Sequence, residues 1–341
     1  MEMKSAKVIQ LHPDKKSPAN DYETGSWETL DKREITSVNG LNIDGQTINL
    51  INIERELWPG ITKADLIQYY ISIIDYILPH LKDRPVGLNI SLHSPAREGF
   101  FLRGMEGHAP EWAQVFVTER KHKKKGKSDN IEWLVCNDRP TLLWAVNQES
   151  IDIHPWTSRI QTPLEPDYIA IDLDPSDGDF KKVIETALAA KEIFEKYKLK
   201  SLIKTSGKSG LHLLIPCVGI KSGEAGEPRK IALALCAEIH QLLPDITTLN
   251  VSRSSRGNHV YIDPNQNDYA DRLAAPYCVR AYHMPTVSTP LEWKEVNDKL
   301  DPRDFTIKTI GERLEKKGDL FRDILDEKTR VTNSIHLKQF I

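Results

Sequence analysis

No stretch of the chain is apolar for long enough to span a bilayer, and Met1-Glu2-Met3-Lys4 is followed by no apolar segment of the kind that directs secretion. These two absences predict a cytoplasmic protein with no membrane partner. Cysteine is scarce: four residues in 341 (Cys136, Cys217, Cys236 and Cys278), none in a C-x-x-C pair. That spacing argues against thiolate zinc sites and a disulfide framework, and predicts reduced, buried thiols. Basic charge is not in excess, since Lys plus Arg number 46 against 49 for Asp plus Glu, a net charge of −3. A protein that coats nucleic acid over its whole surface is thereby excluded, and any basic contact must be local. Internal repeats, low-complexity tracts and a G-x-x-x-x-G-K-[ST] loop are all missing. What is present, 39% hydrophobic and 28% charged residues, is ordinary for a globular chain of one large domain or two modest ones.

Against that background one stretch stands out, Tyr168-Ile169-Ala170-Ile171-Asp172-Leu173-Asp174-Pro175. An apolar run closed by Pro175 and Ser176-Asp177-Gly178 predicts a buried strand. Alternate side chains of a strand share a face, so Asp172 and Asp174 project together from its carboxyl end. Two carboxylates that close repel each other unless a cation lies between them or one takes a proton. Oxygen ligands of this kind suit Mg²⁺ or Mn²⁺; a capped turn beside one hydrogen-bonded aspartate is the plainer alternative. A third aspartate, Asp263, ends the strand predicted over residues 259–263, after a basic turn carrying Arg253 and Arg256.

The rest of the chain supplies a setting. Residues 1–38 are polar and predict a flexible arm, and Asp44-Gly45 predicts a hairpin between residues 41–43 and 47–50. Thr62 as N-cap with Asp65 opens a helix bearing Leu66, Tyr69, Tyr70, Ile73, Ile74 and Ile77, which stops before Pro79. Lys63 falls in its first turn, where backbone N–H groups favour an anion, with Asn52 and Arg55 near in sequence. Phe100 and Phe101 cannot both face one side of a strand, which leaves one for the core and one for stacking on a base. The run 121–127, basic and set between two strands, reads as a solvated hairpin tip or as a contact to a phosphate backbone. A short strand ends in His154. A helix from Phe180 to Tyr197 leads into a strand over 201–205, the turn Ser206-Gly207-Lys208-Ser209-Gly210, and a strand over 211–215. Two glycines in such a turn can offer backbone N–H groups to phosphates, and His212 reads as phosphate-facing or as a half-buried, hydrogen-bonded histidine. A second helix covers 228–243, residues 275–280 read as a strand ending at Arg280, and the remainder is charged and helical.

Taken in order, D-L-D-P, T-S-G-x-x-G-L-H, a strand closing on D-x-x-Q-N, and A-P-Y-x-V-R resemble the polymerase module of bacterial DNA ligase D. That module belongs to the archaeo-eukaryotic primase superfamily, and the likeness runs from about Leu50 to near Trp293. The resemblance implies an α/β (α+β) fold: a primase-like catalytic core on an RRM-like mixed sheet, with an N-terminal lobe packed on it. On this basis the chain divides into the arm (1–38), the lobe (39–157), the core (158–300) and a charged helical extension (301–341). It further implies a template-dependent nucleotidyltransferase that adds NTPs, in preference to dNTPs, to DNA 3′ ends at gaps or double-strand breaks. Catalysis would use two ions, Mn²⁺ or Mg²⁺, in non-homologous end joining. The implied partners are DNA with 5′-phosphorylated gaps or ends, NTPs, a separate DNA ligase and a Ku-like end-binding protein, with the chain associated with the nucleoid.

Carried over residue by residue, the resemblance assigns Asp172, Asp174 and Asp263 to the metals. Ser206, His212 and Arg280 contact the triphosphate, with Gln266, Lys208 and Ser209 beside it. His154 sits by the incoming ribose, where it can read the 2′-OH. Phe100 or Phe101 stacks at the nucleotide or template, and Asn52, Arg55 and Lys63 take the 5′-phosphate of the downstream strand. The chain also departs from the family pattern. Lys208 and Ser209 are exchanged relative to the usual S-G-x-K-G, Arg55 stands where a lysine is common, and residues 88–98 are less typical. No K-x-D-G ligase motif is present, so the resemblance predicts a separate polypeptide. The exchanged turn and the arm leave an alternative open, a DNA-end-binding partner of a separate ligase with secondary or lost polymerase activity. A D-x-D glycosyltransferase fits less well, because of the third aspartate and the S-G-x-x-G-x-H turn.

Overall fold

The computed structural model describes residues 7–9, 40–90, 100–102, 104–105, 107–120 and 129–341. Most of the predicted arm and the basic run 121–127 therefore lie outside the described residues. Within the arm, strand β1 (Lys7–Ile9) pairs antiparallel with residues 115–117. The hairpin of β2 (Leu41–Ile43) and β3 (Gln46–Ile48) turns on Asp44 and Gly45, both at positive φ (48° and 79°), as a two-residue turn requires. A ribbon of β4 (Glu56–Trp58) and β5 (Ile61–Thr62) then feeds helix α1 (Lys63–Leu81).

Helix α1 opens with the predicted capping box between Thr62 and Asp65, and buries Leu66, Tyr69, Tyr70, Ile73, Ile74 and Ile77. It does not stop before Pro79 but continues to Leu81. Proline in a final turn forfeits a single backbone hydrogen bond. The surrounding apolar face, buried against the first sheet, outweighs that loss.

The first sheet has the order β1-β8-β9-β6-β10, with β6 (Pro85–Ile90), β8 (Val115–Glu119), β9 (Asn130–Val135) and β10 (Ser150–Pro155); β7 (Phe100–Leu102) also pairs with β6. Helix α2 (Arg139–Asn147) lies between β9 and β10 in the chain, and a small ribbon, β11 (Ser158–Arg159) with β12 (Thr162–Pro166), follows.

The second sheet is built from β13 (Tyr168–Pro175), helix α3 (Phe180–Lys196), β14 (Leu202–Thr205), β15 (Leu211–Pro216), helix α4 (Glu227–Leu242), β16 (Thr247–Thr248), β17 (Val260–Asp263) and β18 (Pro290–Leu291). Its order is β16-β17-β13-β15-β14-β18. The central four strands with their two helices follow a β-α-β-β-α-β path, the split arrangement of RRM-like sheets. A parallel β16–β17 pair makes the sheet mixed. Residues 275–280, predicted as a strand, form only an isolated bridge between Val279 and Val287, with Tyr277 at φ 65°. A left-handed residue cannot continue a ladder.

Helices α3 and α4 cover one face of this sheet, where Ile169, Ile171, Leu173, Leu213 and Ile262 are buried. On the opposite face Tyr168, Ala170 and Leu214 pack against Leu273, Phe321 and Ile324. The chain ends in helices α5 (Ile310–Lys317) and α6 (Glu327–Leu337). Ile310 and Leu314 of α5 share one core with α1 and with residues 274–281. All four cysteines are buried thiols, and among the described residues no helix is long and apolar enough to cross a membrane.

Asp167, at the foot of β13, ties these parts together. Its carboxylate accepts from Arg84, Arg159 (2.8 Å) and Arg330, drawn from the first lobe, the β11 ribbon and α6. Burial acts to raise the carboxyl's pKa, but the three guanidinium groups hold it below the ordinary value. Removing one member of a buried ionic cluster strands the others, at a cost of about 3–5 kcal/mol. Urea unfolding of Asp167→Ala should show a loss of that size. Asp75→Ala, at the exposed Arg139 pair, should change stability by less than ~1 kcal/mol.

Candidate active site

Strand register brings three of the predicted site residues, Asp263, Asp172 and His212, into a line. Asp172 on β13 is paired with Asp263 on β17 and, on its other side, with His212 on β15. His212 is paired in turn with Lys204 on β14. Directly opposed residues share a face. Asp263, Asp172, His212 and Lys204 thus form a transverse row over four strands, on the face that α3 and α4 leave uncovered. Asp174 shares that face, opposite Tyr261.

Lys204 and His212 are buried, the three aspartates are half-buried, and the carboxylates are short of counter-charge. Burial, and then the charges of Asp174 and Asp263, push the Asp172 carboxyl well above the ordinary 3.8. Asp174 is raised by burial and by Asp263, against the pull of Arg256, Arg280 and Arg253. Asp263 is better served: Oδ1 accepts from the N–H and side-chain amide of Asn265 (2.8 and 2.6 Å) and from the Tyr261 hydroxyl (3.2 Å). Gln266 Nε2 lies 3.5 Å from Oδ2. Asp172 Oδ1 stands 3.3 Å from His212 Nε2 without hydrogen-bond alignment, and is buried with no hydrogen-bond partner.

Three carboxylates, one with an unsatisfied buried oxygen, are a donor set that fits a hard divalent cation. Among the described residues no three His, Cys, Asp or Glu side chains already converge on one point. Rotamer changes would have to draw the carboxylates together around an ion, because no finished cage exists.

The turn 206–210 docks directly on β13. A Cβ at Gly210 would stand 2.1 Å from the Leu173 carbonyl oxygen, between the two aspartates, so only glycine fits. Ser206 Oγ accepts from the N–H groups of Lys208 (3.1 Å) and Gly210 (3.0 Å). Those two donors point inward at the serine and are not presented to an anion, contrary to the nest-like turn expected. Lys208 and Ser209 are half-buried, and the charge of Lys208 acts on Asp152.

Arg280 is buried beneath the turn. It donates to the Ser206 carbonyl and, through Nε, to Asp152 Oδ2 at 3.2 Å. Burial alone would raise the Asp152 carboxyl, but Arg280 and His154 hold it well below the ordinary range. His154 Nε2 is 3.5 Å from the same carboxylate, and burial pushes its pKa down to about 4, so the ring is neutral at neutral pH. Asp152 was missed in the sequence, although it lies two residues before His154 and so on the same face of β10. Lys204, Ser288, Asn265 and Tyr261 were missed as well. Arg256, whose guanidinium lies 3.7 Å from the Tyr261 ring centroid, was noted only as part of a basic turn.

His212 is buried, not half-exposed: Nδ1 meets Lys204 Nζ at 2.7 Å on one side, and Nε2 meets Asp172 on the other. The segment proposed for a 5′-phosphate is gathered but closed. Lys63 is fully buried, and its ammonium donates to the carbonyls of Ile51 and Asn147, both at 2.6 Å. Burial pushes its pKa down to about 8, with Glu149 opposing. The first N–H groups of α1 are taken by Arg55 O, Ile53 O and Thr62 Oγ1. Arg55 Nη1 donates to Glu149 at 2.7 Å, and both Glu149 and Asn52 sit at positive φ (66° and 51°). Phe100 and Phe101 lie on β7, and their side chains are outside the described residues.

The fold is that of a primase-polymerase domain. Residues 62–321 match the family model "LigD, primase-polymerase domain", and the chain belongs to that family. It is 32% identical over 271 residues to the bifunctional non-homologous end joining protein LigD of Bacillus subtilis, covering 78% of this chain and 42% of the relative. It is 29% identical over 280 residues to the multifunctional non-homologous end joining protein LigD of Mycolicibacterium smegmatis, covering 81% of this chain and 36% of the relative. The chain thus spans less than half of these relatives. The polymerase domain of Mycobacterium tuberculosis ligase D, solved in complex with DNA, superposes with a TM-score of 0.72 over 82% of this chain and 98% of that one, at 24% identity. That likeness is one of fold.

Raised carboxyls mean that folding takes up protons at Asp172 and Asp174. Their contribution to stability is complete below the ordinary 3.8 and is lost as pH climbs through the raised values. In chelator, Asp172→Asn should therefore be more stable than the parent at pH 7, by at least ~1 kcal/mol, since a tenfold change in proton affinity is worth about 1.4 kcal/mol. The gain should shrink toward pH 4 in urea unfolding. A variant less stable than the parent at pH 7 would contradict the repulsion argued for the row.

Proposed function

We propose that the chain is a template-dependent nucleotidyltransferase that extends DNA 3′ ends with nucleoside triphosphates at gaps or breaks, in non-homologous end joining. The observation that carries this reading is the row Asp263–Asp172–His212–Lys204, joined by Asp174, on the sheet of a LigD primase-polymerase core. Asp172, Asp174 and Asp263 would hold Mn²⁺ or Mg²⁺. When bound, a pair of such ions supplies Lewis acidity to the attacking and leaving oxygens of phosphoryl transfer.

The chain's own residues do the rest. Arg280, pinned between Asp152 and the Ser206 carbonyl, offers a fixed positive charge beside the turn, where Lys208, Ser209 and Gln266 complete the surroundings of a triphosphate. His154, neutral and oriented by Asp152, can hydrogen-bond a ribose 2′-OH and so favour NTPs over dNTPs. Phe100 or Phe101 would stack on a base. A separate ligase and a Ku-like end-binding protein are the partners this role would call for, and the DNA contact of the mycobacterial relative is consistent with it.

Primer extension on a gapped duplex carrying a downstream 5′-phosphate tests the reading. Extension in Mn²⁺ should be faster with NTPs than with dNTPs, and should fall on the order of 10³-fold in Asp263→Ala. His154→Ala should narrow the NTP preference more than it slows the reaction. Binding without any extension by the parent chain would instead favour an end-binding scaffold.

For the 5′-phosphate, Arg55 is the cation nearest to use, and Glu149 holds it. Glu149→Gln should raise the preference for 5′-phosphorylated over 5′-hydroxyl gapped DNA about fivefold, the ~1 kcal/mol scale of a partly exposed ion pair. An unchanged ratio in competition binding would remove Arg55 from that role.

A further inference from the structure

Between Ser150 and Asp152 the pairing of β10 with β6 slips by one residue. Ser150 stands across from Ile90, so a regular ladder would set Asp152 across from Leu88, which belongs to the core shared with α1. The extra residue, Ile151, stays in that core, and Asp152 comes to stand across from Asn89 instead. A bulge re-aims the side chains that follow it. Here it turns Asp152, and with it His154 two residues on, to the face away from α1.

At 1% exposure Asp152 has almost no water around it, and both of its oxygens are taken. Oδ1 accepts from the backbone N–H of Ala281. Oδ2 accepts from Arg280 Nε at 3.2 Å, and His154 Nε2 lies 3.5 Å from the same atom. The Ser206 carbonyl holds Arg280 at Nη1, so its guanidinium is fixed at two of three nitrogens. One carboxylate therefore meets both the arginine read as a triphosphate contact and the histidine read as a ribose contact. A charge-assisted hydrogen bond sets direction as well as supplying charge, so the placing of both side chains follows from one anchor.

We propose that Asp152 is a positioning residue that sets Arg280 and His154 in a single frame, so that the hold on a triphosphate and the choice of sugar change together. Asp152, closed in by its donors, meets no nucleotide itself. What the two side chains bind rests on the function proposed above; their anchoring by Asp152 does not. A carboxylate that merely stapled the first lobe to residues 280–281 would leave both properties as they are.

A ¹H–¹⁵N spectrum of the full chain with ¹⁵N-labelled arginine, Arg280 being assigned through Arg280→Lys, reads the anchor without DNA or nucleotide. The Arg280 Nε–H should exchange with water at least ~10-fold more slowly than that of free arginine, and Asp152→Asn should lose most of that protection. A parent Nε–H that exchanges like free arginine overturns the proposal, with no variant required. Primer extension in Mn²⁺ reads the consequence. Asp152→Asn should raise KM for NTPs roughly tenfold and cut the preference for NTPs over dNTPs about fivefold. A fall in kcat alone, with KM and preference as in the parent, is what loss of a mere staple gives, and it overturns the proposal. Adding His154→Ala to Asp152→Asn should lower the preference by less than it does in the parent, because the anchor is already gone. Equal effects in the two backgrounds overturn the single frame. If Asp152→Asn does not fold, Asp152→Glu, which keeps the charge and shifts the carboxylate by one methylene, should move the same KM and preference. A protected Arg280 Nε–H in a chain that extends no primer would support Asp152 as the anchor and overturn the polymerase reading alone.

Discussion

Neighbouring strands of a sheet lie about 4.8 Å apart. Carboxylates set on adjacent strands at that spacing, under cover, cannot all stay ionised without help. The Asp172–Asp263 pair, with Asp174 beside it, is in this position, and the elements around it respond to that constraint. Asn265, Tyr261 and Gln266 attend to Asp263, whereas Asp172 keeps an oxygen in reserve. Arginines at 253, 256 and 280 lie near enough to ease Asp174 without neutralising it. A site left unbalanced in this way has affinity for positive charge stored in its fold.

The second layer is made by parts distant in sequence. Asp152 of the first sheet anchors Arg280, Arg280 anchors the Ser206 carbonyl, and the turn so fixed rests on β13 through Gly210. The first lobe therefore reaches the face that bears the carboxylate row as a support. Asp167 does the corresponding task at the other end of β13, where three guanidinium groups from separate regions share one carboxylate.

Much of this was legible in the sequence because it rests on local rules. The alternation in residues 168–175 put Asp172 and Asp174 on one face, the Thr62–Asp65 box marked a helix start, and Asp44-Gly45 marked a hairpin. What escaped depends on register and on tertiary partners. Nothing in a strand reading L-I-K-T tells that its lysine will sit across from His212, since cross-strand pairing is set by elements far away. Lys63 and Arg55 read as cations offered to a phosphate, whereas two carbonyls close on Lys63 and Glu149 meets Arg55. Pro79 was a sound stop signal that packing overrode. The stretch 275–280 has strand-like residues but a left-handed Tyr277 that the ladder cannot absorb.

The transverse row bears on how the chain folds. Its four members come from β17, β13, β15 and β14, and two of the three steps between them cross a helix or most of the sheet's sequence. Contacts of such long separation form late, after the loops between them have closed. No hairpin or helix pair nucleating early contains more than two of these residues. Asp172 and Asp174 neighbour each other in the chain from the start, but Asp263 reaches them only when β17 pairs with β13, so the full repulsion of the three carboxylates arises with that pairing.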